Sequence, residues 1–180
     1  MRKLAAVLLS IAFAAPAAAD QRDPRLDVLF DALVDAGSDT APRVEAEIWR
    51  VWLEYADAGS AGLMQVGVLA LQSGDLDTAL SAFDVLVERA PDYAEAWNKR
   101  ATVLYFLGEY EQSLVDVART LELEPRHFGA LSGAGLIFDA LGQPEAALKA
   151  YREALAVHPT LAYPLVRIHQ LEDEIAGDPL

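Results

Sequence analysis

Apolar positions recur along this chain with the three-and-four spacing of amphipathic helices. Leu26, Leu29, Phe30 and Leu33 share one face of a first helix, and Ile48, Trp49, Trp52 and Leu53 share a face of a second, expected over Val44 to Tyr55. A turn carrying Gly37, Ser38, Asp39 and Pro42 separates them. Further along, Trp97, Ala101 and Leu104 define one helix, and Tyr110, Leu114, Val117 and Leu121 define its partner. Gly108 ends the first of these, because glycine takes the left-handed turn conformation without steric cost. Pro125 stops the second, because proline cannot continue a hydrogen-bonded helix.

The same plan returns on either side at a fixed offset of 34 residues, with units starting at Ser60, Ala94 and Phe128. Pro91, Pro125 and Pro159 coincide, as do Gly74, Gly108 and Gly142, and the small residues Gly67, Ala101 and Gly135. Leu63, Trp97 and Leu131 coincide too, with Ala79, Ser113 and Ala147. The outer units predict helices over Leu63 to Gln72, Leu76 to Arg89, Leu131 to Leu141 and Pro144 to Val157. Pro144 falls at a helix start, where proline is tolerated. Asp75, Asp77, Glu109, Glu111 and Glu145 gather at second-helix starts, where the macrodipole favours negative charge. A period of this length marks an all-α solenoid of helix-turn-helix repeats, whose function sits on a shared surface.

Units of 60–93, 94–127 and 128–161 follow from that period. The preceding segment, 26–59, has the length of a unit without its glycine and proline marks, and reads as a diverged N-terminal helical pair that caps the array. Leu161 to Ile175 predicts a closing helix, placed at 162–176, since an uncapped solenoid end leaves apolar surface in water.

Residues 94–125, AEAWNKRATVLYFLGEYEQSLVDVARTLELEP, resemble a tetratricopeptide repeat through Trp97, Ala101, Gly108, Tyr110, Leu121 and Pro125. The third unit adds Gly135, Phe138, Gly142, Ala147, Tyr151, Ala154 and Pro159. The resemblance implies a right-handed superhelix with N- and C-terminal capping helices. The run EPRHFGALSGAG, from Glu124 to Gly135, also resembles a segment of small exported repeat proteins of proteobacteria. Departures from the repeat pattern are Arg100 at a usually apolar place, Ser113 and Thr120 for alanines, and an oversized Leu86. A charge at the Arg100 position calls for an acidic partner, Asp116 or Glu124.

In such a fold the first helix of each unit lines a concave face. The inward residues expected to bind are Gln65, Gln72, Asn98, Lys99, Thr102, Tyr105, Phe106, Ser132, Asp139 and Arg167, alongside Met64, Val68, Gly133, Leu136 and Gln170. Amides, hydroxyls and aromatics together suit an extended peptide. Adjacent aromatics such as Tyr105 and Phe106 are costly on an exposed face without a partner. Lys99 and Arg167 are candidates to hold a carboxylate, though they do not reproduce the full basic clamp of some relatives. Gly129 and Gly133 offer either close approach of a ligand or tight helix packing; Gly135 reads as packing.

The first residues, MRKLAAVLLSIAFAAPAAAD, read as a secretory leader, 1–19, with cleavage between Ala19 and Asp20. Its apolar run, Leu4 to Ala15, spans about 18 Å as a helix, well short of a hydrocarbon core of about 30 Å. Cleavage leaves 161 residues (180 minus 19) and takes the net charge from −14 to −16, since Arg2 and Lys3 depart. So acidic a chain repels phosphate backbones and anionic membranes, so nucleic acid and lipid are poor partners for it and no stable membrane insertion of the mature chain is expected. With no cysteine, disulfides and thiol lipidation are both excluded. His127, His158 and His169 lack metal-ligand spacing, and no serine, carboxylate and histidine group has the character of a catalytic triad. The chain is therefore expected to be a non-enzymatic, cofactor-free protein- or peptide-binding scaffold in the cell envelope, periplasmic or else secreted. The alternatives are a structural protein that self-associates, with Trp49 and Trp52 as anchors in place of their ordinary core use, or an accessory subunit of an envelope assembly.

Overall fold

The computed structural model of the chain describes residues 20–54 and 57–177. The expected leader, with the Ala19 side of its cleavage point, lies outside the described residues. Among the described residues there are nine helices and no strand. They are α1 Arg25–Asp35, α2 Ala41–Leu53, α3 Ala58–Ser73, α4 Leu76–Arg89, α5 Ala94–Leu107, α6 Tyr110–Leu123, α7 Phe128–Ala140, α8 Pro144–Val157 and α9 Ala162–Ala176. Helices α3 to α8 stack as three antiparallel pairs, and α9 closes the far end on α8. The result is a helical-repeat solenoid.

The ends of these helices follow from their sequence. Asp57 accepts the Ser60 backbone N–H at 2.8 Å, and Asp75 accepts that of Thr78 at 3.1 Å. Both occupy N–H groups that a helix start otherwise leaves without a partner. Gly74 and Gly108 close α3 and α5 with φ of 79° and 80°, a region open to glycine at no steric cost.

Within each pair a small residue faces a large one. A Cβ on Gly67 would fall 2.5 Å from the Phe83 ring, and one on Gly135 would fall 2.3 Å from Tyr151. Only glycine lets these helices approach so closely. The middle unit places Ala101 and Val117 at the corresponding positions. There the small residue is larger and the ring is absent.

The departures from the pattern satisfy themselves. Ser113 donates to the Ala101 carbonyl at 2.7 Å and Thr120 to that of Asp116 at 2.9 Å. Buried hydroxyls thus avoid the cost of an unmade hydrogen bond. Arg100 pairs with Asp116 through two hydrogen bonds of 2.7 Å, and reaches Asp84 of the preceding unit at 3.0 Å. Glu124, the other candidate, takes Arg126 instead.

The N-terminal pair differs from expectation. Helices α1 and α2 pack on each other but do not stack on α3 as a leading unit would. They cross the turns between units and rest on α5, α7 and the end of α8. The Trp52 ring lies parallel to His127 at 4.0 Å, and Trp49 meets Phe128 edge-on at 5.3 Å. The Tyr93 hydroxyl donates to the Trp52 carbonyl at 2.8 Å. Arg126 reaches Asp27 at 2.8 Å and covers the Phe30 ring. The reason lies in the repeat itself. His127 and Phe128 offer two rings at the start of the third unit, whereas the first unit has Gly59 and Ser60 at those places. The two tryptophans are therefore engaged within the chain, as their ordinary core use would have it. Trp52 is fully buried.

Candidate functional site

Helices α5 and α7 present facing sides because Asn98, Thr102 and Tyr105 recur at spacings of four and three, as do Gly129, Gly133 and Leu136. Between them lies a cavity of about 100 Å³, with Ala101, Val117 and Ile137 at its base and Tyr105 and Phe106 at its rim. Its origin is the middle-unit exchange described above: Val117 stands where the outer units carry Phe83 and Tyr151, so space a ring would fill is open. Gly133 borders this space, and a Cβ there would meet nothing within 4 Å. The cavity shares Thr102, Gly129, Gly133 and Leu136 with a wider cleft of about 530 Å³ that runs between α7, Trp49 of α2 and Tyr163 of α9. Helix α2 thus supplies one wall of the groove.

Phe106 is 60% exposed at the mouth, in edge contact with Tyr105 at 5.6 Å. Thr102 donates to the Asn98 carbonyl at 2.9 Å, and Ser132 lines the wider cleft. Asn98, Thr102, Tyr105 and Phe106 therefore come together as expected. Gln65 and Gln72 do not; they lie exposed on α3, outside both spaces. Gly129 faces the Trp49 ring, 2.8 Å from where its Cβ would lie, so its bareness serves packing against α2.

Both cations expected to serve the groove are already engaged, and Arg167 borders neither the cavity nor the wider cleft. The Arg167 guanidinium holds Asp139 at 2.9 Å and 3.0 Å and Glu174 at 2.8 Å. The Tyr151 hydroxyl also donates to Asp139 at 3.0 Å; burial and that carboxylate push the phenol well above its usual range. Lys99 lies over the Trp49 ring at 5.0 Å and pairs with Glu95 at 2.9 Å. The carboxylate-holding role expected of Lys99 and Arg167 is thus taken by the chain's own acids.

Beneath Lys99 sits a buried polar cluster that helical periodicity does not reveal. Glu95 is 1% exposed and His127 0%. The Ala130 backbone N–H donates to His127 Nδ1 at 3.0 Å, so the ring carries its proton on Nε2 and donates to Glu95 Oε2 at 2.9 Å. His127 caps α7 in this way but is buried, not solvated. Asn98 Nδ2 adds a hydrogen bond to Glu95 Oε2 at 3.0 Å. Lys99 forms an ion pair with the other oxygen, Glu95 Oε1, at 2.9 Å. Burial pushes the Glu95 carboxyl up; the Lys99 charge and the His127 hydrogen bond outweigh it and bring it down to about 2. The signal in the sequence was Glu95 itself, an acid where the other units have Ala61 and Gly129.

Among the described residues no three histidine, cysteine or acidic side chains are grouped to hold a metal ion. No helix among them is long and apolar enough to cross a membrane.

A sequence model of the tetratricopeptide repeat matches residues 67–121 and again 98–162. The chain belongs to the tetratricopeptide-repeat family. A TPR repeat-containing protein of Rhizobium etli is 37% identical over 158 residues, covering 86% of this chain and 76% of that protein. Among solved structures, the first TPR of Spaghetti (RPAP3), bound to the HSP90 peptide SRMEEVD, superposes with a TM-score of 0.63 at 20% identity, over 65% of this chain and 93% of that one. The crystal structure of MamA gives a TM-score of 0.63 at 18% identity, over 85% of this chain and 82% of that one. At these identities the two structures share the fold alone.

Proposed function

We propose that the chain is a non-enzymatic scaffold that holds a protein segment in the groove between α5, α7 and α2, after export to the periplasm. The observation that carries this reading is the open apolar cavity above Val117, rimmed by the exposed Phe106. It has room for one aliphatic side chain, and the wider cleft beside it has room for the chain that bears it. In the outer units a ring, Phe83 or Tyr151, occupies the corresponding place against Gly67 or Gly135. Since Lys99 and Arg167 are spent on internal acids, recognition rests on apolar anchoring and not on capture of a terminal carboxylate. Export is supported by the leader pattern at the start of the chain and by Ala19 followed by Asp20.

Substituting Ala101→Gly together with Val117→Phe recreates the glycine-and-ring pairing of the outer units and closes the cavity. A photo-crosslinker at Phe106 in the native envelope should capture one defined partner in the parent chain and lose it in the double variant, with helicity unchanged. The same capture in both chains would overturn the groove reading. N-terminal sequencing of the chain from that fraction should begin at Asp20; a start at Met1 would overturn export.

A further inference from the structure

The first helix of the array carries a face that its counterparts bury. Leu69 corresponds at the 34-residue offset to Val103 and Ile137, and Gly62 to Ala96 and Ala130. Val103, Ala96 and Ala130 are fully buried and Ile137 nearly so, because α5 packs on α4 of the preceding unit and α7 packs on α6. At the first unit no described helix takes that place, since α2 has gone to the third unit instead. Leu69 is consequently 57% exposed and Val66 50%. With Gly62, Gln65 and Gln72 they form one stripe at three-and-four spacing.

We propose that this stripe is a self-association surface, on which two copies pack α3 against α3 about a two-fold axis. Charge selects a second copy as the occupant. A two-fold axis sets a surface against itself, so in a chain of net charge −14 most faces would meet their own sign. The sixteen residues Ala58–Ser73 contain no charged side chain. The exposed sides of α4, α6 and α8 all carry acids, for example Asp84, Glu122 and Glu153. Leaving one helix wholly uncharged is what an acidic chain needs in order to meet an equally acidic one. The amides of Gln65 and Gln72 each donate and accept, so they are complementary to themselves across such an axis. The surface is distinct from the groove, and its use does not depend on what the groove holds.

Because the chain has no cysteine, a single Leu69→Cys substitution reports on the contact. It should crosslink two chains efficiently, whereas Val115→Cys, equally open on α6, should not. Sedimentation equilibrium should show a dimer, with Leu69→Glu and Leu69→Lys each raising its dissociation constant tenfold or more. Mixing those two variants should restore association through opposite charges, a gain that a misfolded variant cannot give. A chain that stays monomeric at every concentration overturns the proposal, whether a foreign helix or residues 1–19 cover α3. So does a dimer that survives both substitutions, or crosslinking at Val115 as efficient as at Leu69.

Discussion

The α1–α2 pair and the α3–α8 array are both built from antiparallel amphipathic helices, yet they are held by different physics. In the array the contacts recur at periodic positions: a small residue against a large one within a pair, and the first helix of a unit against the second helix of the unit before it. Stability of that kind is close to a sum of nearest-neighbour contacts. The N-terminal pair instead touches α5, α7 and α8 at once, through stacked rings, an inter-residue cation over Phe30 and ion pairs between residues about a hundred positions apart. It fastens non-adjacent parts of the solenoid together. A repeat that lacks partners on its own unit can thus become a clamp across others.

The largest expected effect breaks that clamp. Trp52→Ala removes the ring stacked on His127 and opens a cavity at the centre of the N-terminal core, at a cost of about 3–5 kcal/mol. Urea unfolding followed by circular dichroism should show an early loss of α1 and α2 ahead of the array. One cooperative transition of unchanged midpoint would mean that the pair contributes nothing to holding the units together.

Acid should loosen the same junction from its other side. The Glu95 carboxyl is lowered in the folded chain to about 2 from an ordinary value of 4.5. A depressed carboxyl contributes stability that is fully present above its unfolded value and is lost as pH falls through the folded one. The window is therefore from about pH 4.5 down to about pH 2, and the contribution is about 3 kcal/mol. Glu95→Gln should flatten that part of a stability–pH curve measured by denaturant titration. An equally steep fall in the variant would assign the acid sensitivity to other carboxylates.

How much of this was legible in the sequence divides along the same line. The array was, because glycine, proline and small-residue positions recur at a fixed offset and each constrains the backbone or the approach of two helices. The groove residues of α5 were legible for the same reason, since helical spacing puts Asn98, Thr102 and Tyr105 on one side. The placement of α2 was not. Periodicity says that Trp49 and Trp52 share a face but not which surface that face meets, and the decisive partners, His127 and Phe128, sit at the very start of α7. The state of Arg167 was hidden likewise, because its pairing with Asp139 joins α9 to α7, whereas the Lys99–Glu95 pair lies at i,i+4 spacing within α5 and was open to a reading of that helix alone. The cavity was within reach of the repeat alignment itself. Setting Val117 beside Phe83 and Tyr151 exposes the missing ring.

The smallest effects sharpen the comparison within a single helix. Gly133 and Gly135 stand two residues apart on α7 and look alike in sequence. At Gly135 a Cβ would lie 2.3 Å from Tyr151, so Gly135→Ala forces the ring or the helix to move, at a cost of about 1–3 kcal/mol. At Gly133 nothing lies within 4 Å, and Gly133→Ala lowers the entropy of the unfolded chain without a clash, a gain of about 0.5–1 kcal/mol. Thermal unfolding of the two variants should therefore move in opposite directions from the parent. Equal destabilisation would mean that the space beside Gly133 closes in solution, and the groove with it. A stabilised Gly133→Ala chain that also captures its partner less well would show the converse: glycine is kept there at a cost in helix stability, because a bound segment occupies the room that the methyl group takes.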